Sequence, residues 1–197
     1  MPNWCKNNLK IDTDSRATLN NIISVLTNEE GRVTFNKLIP MPKALENTRA
    51  TFPHDVNDAH KSNLKKNYGA VDWYEWRMNN WGVKWDASES EIFGGLDDEV
   101  TLTFKTPWGP PEQFMKTLSR EYPTVRFILQ FADEFIGAVP LGEVLYEGGE
   151  AKQVRIMPDS DDEGNNHDND KESASSDIWD ERWVDYWLET INEPKGW

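Results

Sequence analysis

The sequence predicts an α+β domain, an antiparallel sheet with helices on one face, and three observations carry that reading. Apolar residues alternate with polar ones in several short runs, as half-buried strands require. Helical periodicities lie between those runs. The order is strand, helix, a long insertion, strand, strand, helix, strand, the split β-α-β of a ferredoxin-like sandwich. The chain has 197 residues, 37% hydrophobic and 12% aromatic, enough to form a real core.

Cys5, Asn7, Leu9 and Ile11 share one face of a first strand. Asp12-Thr13-Asp14-Ser15 supplies N-cap side chains for a helix whose stripe is Leu19, Ile22, Ile23 and Leu26. Glu30-Gly31 is expected to stop it. The insertion spans about 29–84. Glu89–Phe93 and Val100–Phe104 read as a hairpin with its turn in 94–98. Gly109 at N-cap and Pro110 at N1 predict the second helix, striped by Phe114, Leu118 and Tyr122 and ended by Pro123. Val125, Phe127, Leu129 and Phe131 form a further strand, and shorter strands are expected within 136–146 and 153–157. The predicted core is Leu9, Ile11, Leu19, Ile22, Leu26, Val100, Leu102, Phe104, Phe114, Leu118, Phe127 and Leu129, with Cys5 as a small hydrophobe.

Charge divides the chain. Residues 1–157 are expected to form one domain, and residues 158–197 carry 3 basic against 13 acidic side chains of a net charge of −14. From Pro158 to Asp177 the chain is polar and acidic, which reads as a linker. Asp159, Asp161, Glu163, Gly164 and Asp170 partly fit a calcium loop. Glu163 and Asp170 are the wrong length for their positions, so a solvated acidic tract is the preferred reading. Beyond it, Trp179, Trp183, Tyr186, Trp187 and Ile191 predict an amphipathic helix over about 178–192, capped by Asp177, with Asp180, Glu181, Asp185 and Glu189 elsewhere on it. Its aromatic stripe needs a cover. Either it folds back onto its own sheet, or Trp179, Trp183, Tyr186 and Trp187, rimmed by Asp180, Glu181 and Asp185, anchor on another chain.

Three stretches act as words: Met1-Pro2-Asn3-Trp4-Cys5-Lys6-Asn7; Trp73-Tyr74-Glu75-Trp76-Arg77 with Asn80-Trp81-Gly82-Val83-Lys84-Trp85-Asp86; and Thr106-Pro107-Trp108-Gly109-Pro110-Pro111. Together they make residues 1 to about 150 resemble the YubB-like, ferredoxin-fold family of plasmids, phages and prophages. The resemblance implies a ferredoxin-like core and a mobile-element origin. It brings no catalytic residues with it.

The tryptophan-rich word offers a ligand platform of Trp73, Trp76, Arg77, Trp81, Lys84 and Trp85, whose rings would stack on bases or sugars. The competing and preferred reading makes these rings the core of the insertion. Asp72, Glu75, Asp86, Glu89 and Glu91 are candidate acid/base groups, read first as caps and surface charges. His54 and His60 stand with Asp55 and Asp58 in a polar stretch, and His167 lies in the acidic tract. Spacing alone does not make them a metal site. A single cysteine rules out an internal disulfide and an iron–sulfur cluster. No cofactor, metal, membrane span or secretory signal is expected, and a cytoplasmic location is.

The function these features suggest is protein–protein interaction, with inhibition of a host defence or nucleic-acid-processing factor as its concrete form. The net charge of −14 disfavours direct nucleic-acid binding and suits a partner with a basic groove, or self-association. The alternative is a small nucleotide- or nucleic-acid-binding domain, with hydrolysis as an added option, using the insertion with Arg77, Lys84, Lys65 and Lys66.

Overall fold

The structure is a computed structural model that describes residues 2–50, 59–94, 100–133 and 142–156. Its centre is β1 (Trp4–Asp12), flanked by β3 (Val100–Pro107) and β4 (Arg126–Asp133). On the far side of β3 lies β2 (Ser88–Phe93), and beyond β4 lie β5 (Gly142–Glu147) and β6 (Glu150–Ile156). All neighbours are antiparallel, in the order β2-β3-β1-β4-β5-β6. The first four of these strands, with helices after β1 and β3, have the connectivity of the ferredoxin-like fold. The β5–β6 hairpin extends the sheet past β4. Its turn, Gly148-Gly149, has φ of 61° and 89°, the left-handed pair that a tight hairpin needs.

Register follows hydrophobic alternation. Leu9 stands opposite Leu102 on one side and Leu129 on the other, and Leu129 opposite Val144. This first face packs against α1 (Arg16–Leu26) through Leu19, Ile22 and Leu26, and against α5 (Glu112–Glu121) through Phe114, Met115 and Leu118. All twelve side chains predicted as core are buried, and so is Cys5. The two helices are tied together where the Tyr122 hydroxyl donates to Asn21 Oδ1 at 2.6 Å.

Helix ends differ from the sequence expectation. Ser15 caps α1 as predicted, accepting from Thr18 N at 3.2 Å, but the helix ends at Leu26 rather than near Gly31. Thr27 bridges to Val33 there, and Gly31 serves the intervening turn with φ of 75°. The second predicted helix begins at Glu112, with Pro111 in the N-cap position and no side-chain cap. Gly109 instead offers its carbonyl to Thr106.

The insertion carries α2 (Lys43–Glu46), α3 (Ala59–Tyr68) and α4 (Trp73–Asn80). Among the described residues it has no separate core. Phe35, Leu45, Leu64, Trp76, Trp81 and Val83 belong to the same hydrophobic cluster as the sheet. The ring of Phe35 sits at the join, 5.7 Å from Phe104, 4.4 Å from Phe114 and 5.9 Å from Trp81.

Candidate functional site

The tryptophan-rich word starts on a capped helix. Asp72 accepts from Glu75 N at 2.9 Å, and Glu75 reaches back to accept from Val71 N at 2.8 Å. Trp76, facing inward from α4, meets Trp81 edge to face at 5.7 Å. The Trp81 indole donates to Ile39 O at 3.0 Å. At 6% and 1% exposure, Trp76 and Trp81 are core side chains and offer no ring face to a ligand. That is the cost-saving arrangement for a small insertion, in which indoles supply most of the available burial.

Arg77 lies between Trp73 and Trp81, with its guanidinium carbon 5.1 Å from each ring centroid. Its Nη1 donates to Lys84 O at 3.3 Å, while its Nε is buried without a hydrogen-bond partner. Burial pulls its pKa down, and the charges of Asp86 and Glu46 pull the other way. Arg77 therefore braces the turn after α4. At that turn Gly82 has φ of 83°, and a Cβ there would lie 3.1 Å from Gln113 N. The chain thus passes tightly against the start of α5, where Phe114 N donates to Trp81 O at 3.3 Å.

Past Gly82 the chain buries Val83 and then half-buries Lys84 and Trp85, where a different set of rings assembles. Trp85 stands 6.1 Å from Trp4 at the start of β1 and 5.9 Å from Trp108 just past β3. Lys84 Nζ lies 4.9 Å from the Trp85 ring and 5.2 Å from the Trp108 ring. Each such contact contributes about 0.5–1 kcal/mol at an exposed site. Trp108 is 49% exposed, the most open large apolar side chain among the described residues.

The Trp108 backbone is held in an unusual state. Its φ is 64°, in the left-handed region that costs a bulky residue about 1–3 kcal/mol. Hydrogen bonds fix it there. Trp108 N donates to Asn3 O at 2.9 Å, and the Thr106 hydroxyl donates to Gly109 O at 2.7 Å. Thr106 in turn accepts from the buried Asn7 amide at 2.8 Å, which also donates to Cys5 O at 3.1 Å. A polar network inside the sheet thus aims an indole outward.

Of the six platform residues, the structure half-buries Trp73, Arg77, Lys84 and Trp85, the last two side by side next to Trp108, and places Trp76 and Trp81 in the core. Half-buried Trp4 and exposed Trp108 complete the group. Their signal was position: Trp4 precedes the first alternating run, and Trp108 stands between Pro107 and Gly109, where a turn presents its side chain.

The candidate acid/base carboxylates have structural partners. Asp72 is a buried cap, Glu75 pairs with Lys65, and Glu89 pairs with Lys105. Asp86 accepts from Thr34 Oγ1 at 2.7 Å, Phe35 N at 2.6 Å and Ala87 N at 2.8 Å. Glu91 is exposed on β2. Among the described residues no group of His, Cys, Asp and Glu is placed to hold a metal, and no helix is long and apolar enough to cross a membrane. His54, Asp55, Asp58 and His167 lie outside the described residues, as do the acidic tract and the partner-binding candidates Trp179, Asp180, Glu181, Trp183, Asp185, Tyr186 and Trp187.

The fold and this surface define the class: a ferredoxin-like α+β domain whose insertion shares its core and whose indoles gather at one end of the sheet. The profile described as the ferredoxin-like domain in Api92-like protein matches residues 80–178. The chain belongs to the Api92-like family. The matched stretch starts at the end of α4 and takes in Trp81–Asp86, Trp108 and every strand after β1. Among solved structures, the crystal structure of protein api92 from Yersinia pseudotuberculosis is similar at 10% identity and a TM-score of 0.47, over 80% of this chain and 100% of that one. No curated protein matches the sequence.

Proposed function

We propose that the protein acts by binding another protein through the Trp4–Lys84–Trp85–Trp108 surface, as an acidic inhibitor of a host factor that handles nucleic acid. The observation that carries this reading is Trp108: an indole 49% exposed, on a left-handed backbone pinned by two hydrogen bonds. Strain that is over-determined by its surroundings concentrates at functional positions. Tryptophan on a rigid support is the commonest kind of interface anchor. Lys84 would rim the anchor, with its ammonium held by the rings.

The choice of target rests on charge and on resemblance. A net charge of −14 favours approach to a basic groove, with fast and salt-sensitive association. The likeness of the Trp-rich words to the YubB-like proteins supports an origin on a plasmid, phage or prophage, where inhibitors of host defence are useful. Tilted rings beside a lysine also resemble a base-stacking platform, which keeps single-stranded nucleic acid as the second reading.

Affinity capture from host lysate, with the native chain and Trp108→Ala as parallel baits, tests the proposal. It expects a protein retained by the first bait and lost by the second, and no mobility shift of single- or double-stranded nucleic acid on a native gel. A gel shift abolished by Trp108→Ala would favour the stacking platform instead.

A further inference from the structure

The sheet has a second face, opposite α1 and α5, and it holds buried side chains. Strand alternation places Asn8, Gln130 and Ala132 there, with Ile128 and Leu145 beside them and Lys6, Lys10 and Lys105 along β1 and β3. The buried apolar side chains of all five described helices join the cluster on the first face. Ala132 does not belong to that cluster, yet it is only 3% exposed, with Asn8 at 1% and Gln130 at 5%. Gln130 Nε2 donates to Glu143 at 2.7 Å, but its Oε1 is buried with no hydrogen-bond partner. Leaving an acceptor in that state costs about 1–3 kcal/mol, so such a group points to a missing donor.

We propose that residues 178–192 lie across this second face as an amphipathic helix, with Trp179, Trp183 and Trp187 on the sheet and one indole N–H donating to Gln130 Oε1. The indole suits the orphan because it is a donor only and brings a large apolar body with it. Dimensions agree. A helix of that length is ~22 Å long, close to the ~24 Å width of a sheet with six strands. The chain leaves β6 at Ile156, and residues 157–177 can reach ~70 Å when extended, well beyond the need. Such a tether holds its end at about millimolar effective concentration. Charge agrees as well. The segment from 158 onward carries 13 acidic and 3 basic side chains, and β1 places Lys6 and Lys10 at the centre of this face, with Lys105 paired to Glu89 beside them and Glu91 and Glu143 toward its edges. The apolar stretch 134–141 between β4 and β5 is the rival occupant within the chain, and a second copy is the rival outside it.

The test uses the full-length chain with a nitroxide on Asp185→Cys, on the side of the helix away from the tryptophans. Cys5 is fully buried and stays unlabelled. Methyl NMR should show the Ile128 and Leu145 signals losing most of their intensity, while Leu19 and Ile22 on α1 keep theirs. The loss should vanish when Trp179, Trp183 and Trp187 are all changed to Ala, and the side-chain amide signals of Asn8 and Gln130 should shift in that variant. Retention of intensity at Ile128 and Leu145 would overturn the proposal. So would a loss seen only when spin-labelled and isotope-labelled chains are mixed, which assigns the face to a second copy. Unmoved Asn8 and Gln130 amides in the triple variant would assign it to 134–141 and overturn it equally.

Discussion

Asp86 carries a charge into the join between insertion and sheet, and both of its oxygens are occupied there. Oδ1 accepts from the Phe35 and Ala87 amides and Oδ2 from the Thr34 hydroxyl. Asp86→Ala should therefore cost about 1–3 kcal/mol by urea denaturation, since it strands amide donors in a half-buried site. Sequence presents the same aspartate equally well as an acid/base group, because only the fold decides which donors converge on it. Tyr146 makes a pH prediction. Burial, and then the charge of Glu112, raise its pKa well above the ordinary value of 10.0. Its proton is held more tightly in the folded state, so its contribution is whole below pH 10 and is lost as pH rises beyond that. Melting temperature should fall on the alkaline side, and Tyr146→Phe should flatten that fall. Trp108→Gly should leave stability within about 1 kcal/mol, because relief of the left-handed backbone offsets the lost ring contacts and the added chain entropy. It should still abolish partner capture.

Among elements, the strands and the inner stripes of α1 and α5 were legible because burial writes itself as period two and period 3.6. Helix ends were less so. Gly31 looks like a stop signal, but the Thr27–Val33 bridge ends α1 earlier and uses Gly31 in the turn that follows. Pro110 looks like a first helical residue, but Thr106 draws the Gly109 carbonyl toward itself, and the helix begins at Glu112. Both depend on contacts between strands and loops that local pattern does not contain. For the β5–β6 hairpin the sequence pattern shows strands but not the turn between them. One of its residues is under a firm constraint: a Cβ on Gly142 would sit 2.4 Å from Cζ of Phe131 in the neighbouring strand. Gly142→Ala should destabilise by about 1–3 kcal/mol, the range for overpacking, measured by thermal and urea melts.

At the scale of the whole molecule, one core joins sheet, helices and insertion, so the Trp-rich word divides between two tasks. Trp76 and Trp81 fix the insertion to the sheet, and half-buried Trp85 joins half-buried Trp4 and exposed Trp108 in a second group. That division was hidden in the sequence, where the six aromatic and basic residues form one run; it arises because the turn at Gly82 leads the chain away from α4 and sets Trp85 beside Trp4 and Trp108. A shared core also means that damage at its centre spreads. Leu102→Ala, at 0% exposure opposite Leu9, should cost about 2–5 kcal/mol in a single cooperative transition. If the proposed inhibition holds, this acidic domain occupies, through Trp4, Trp85 and Trp108, the groove in which a host protein binds nucleic acid. The most direct measurement is fluorescence anisotropy of labelled nucleic acid on the captured host protein, titrated with the native chain and with Trp85→Ala/Trp108→Ala. The native chain should return the anisotropy to that of free nucleic acid, and the double variant should not. Unchanged or rising anisotropy with the native chain, the mark of separate sites, would contradict it.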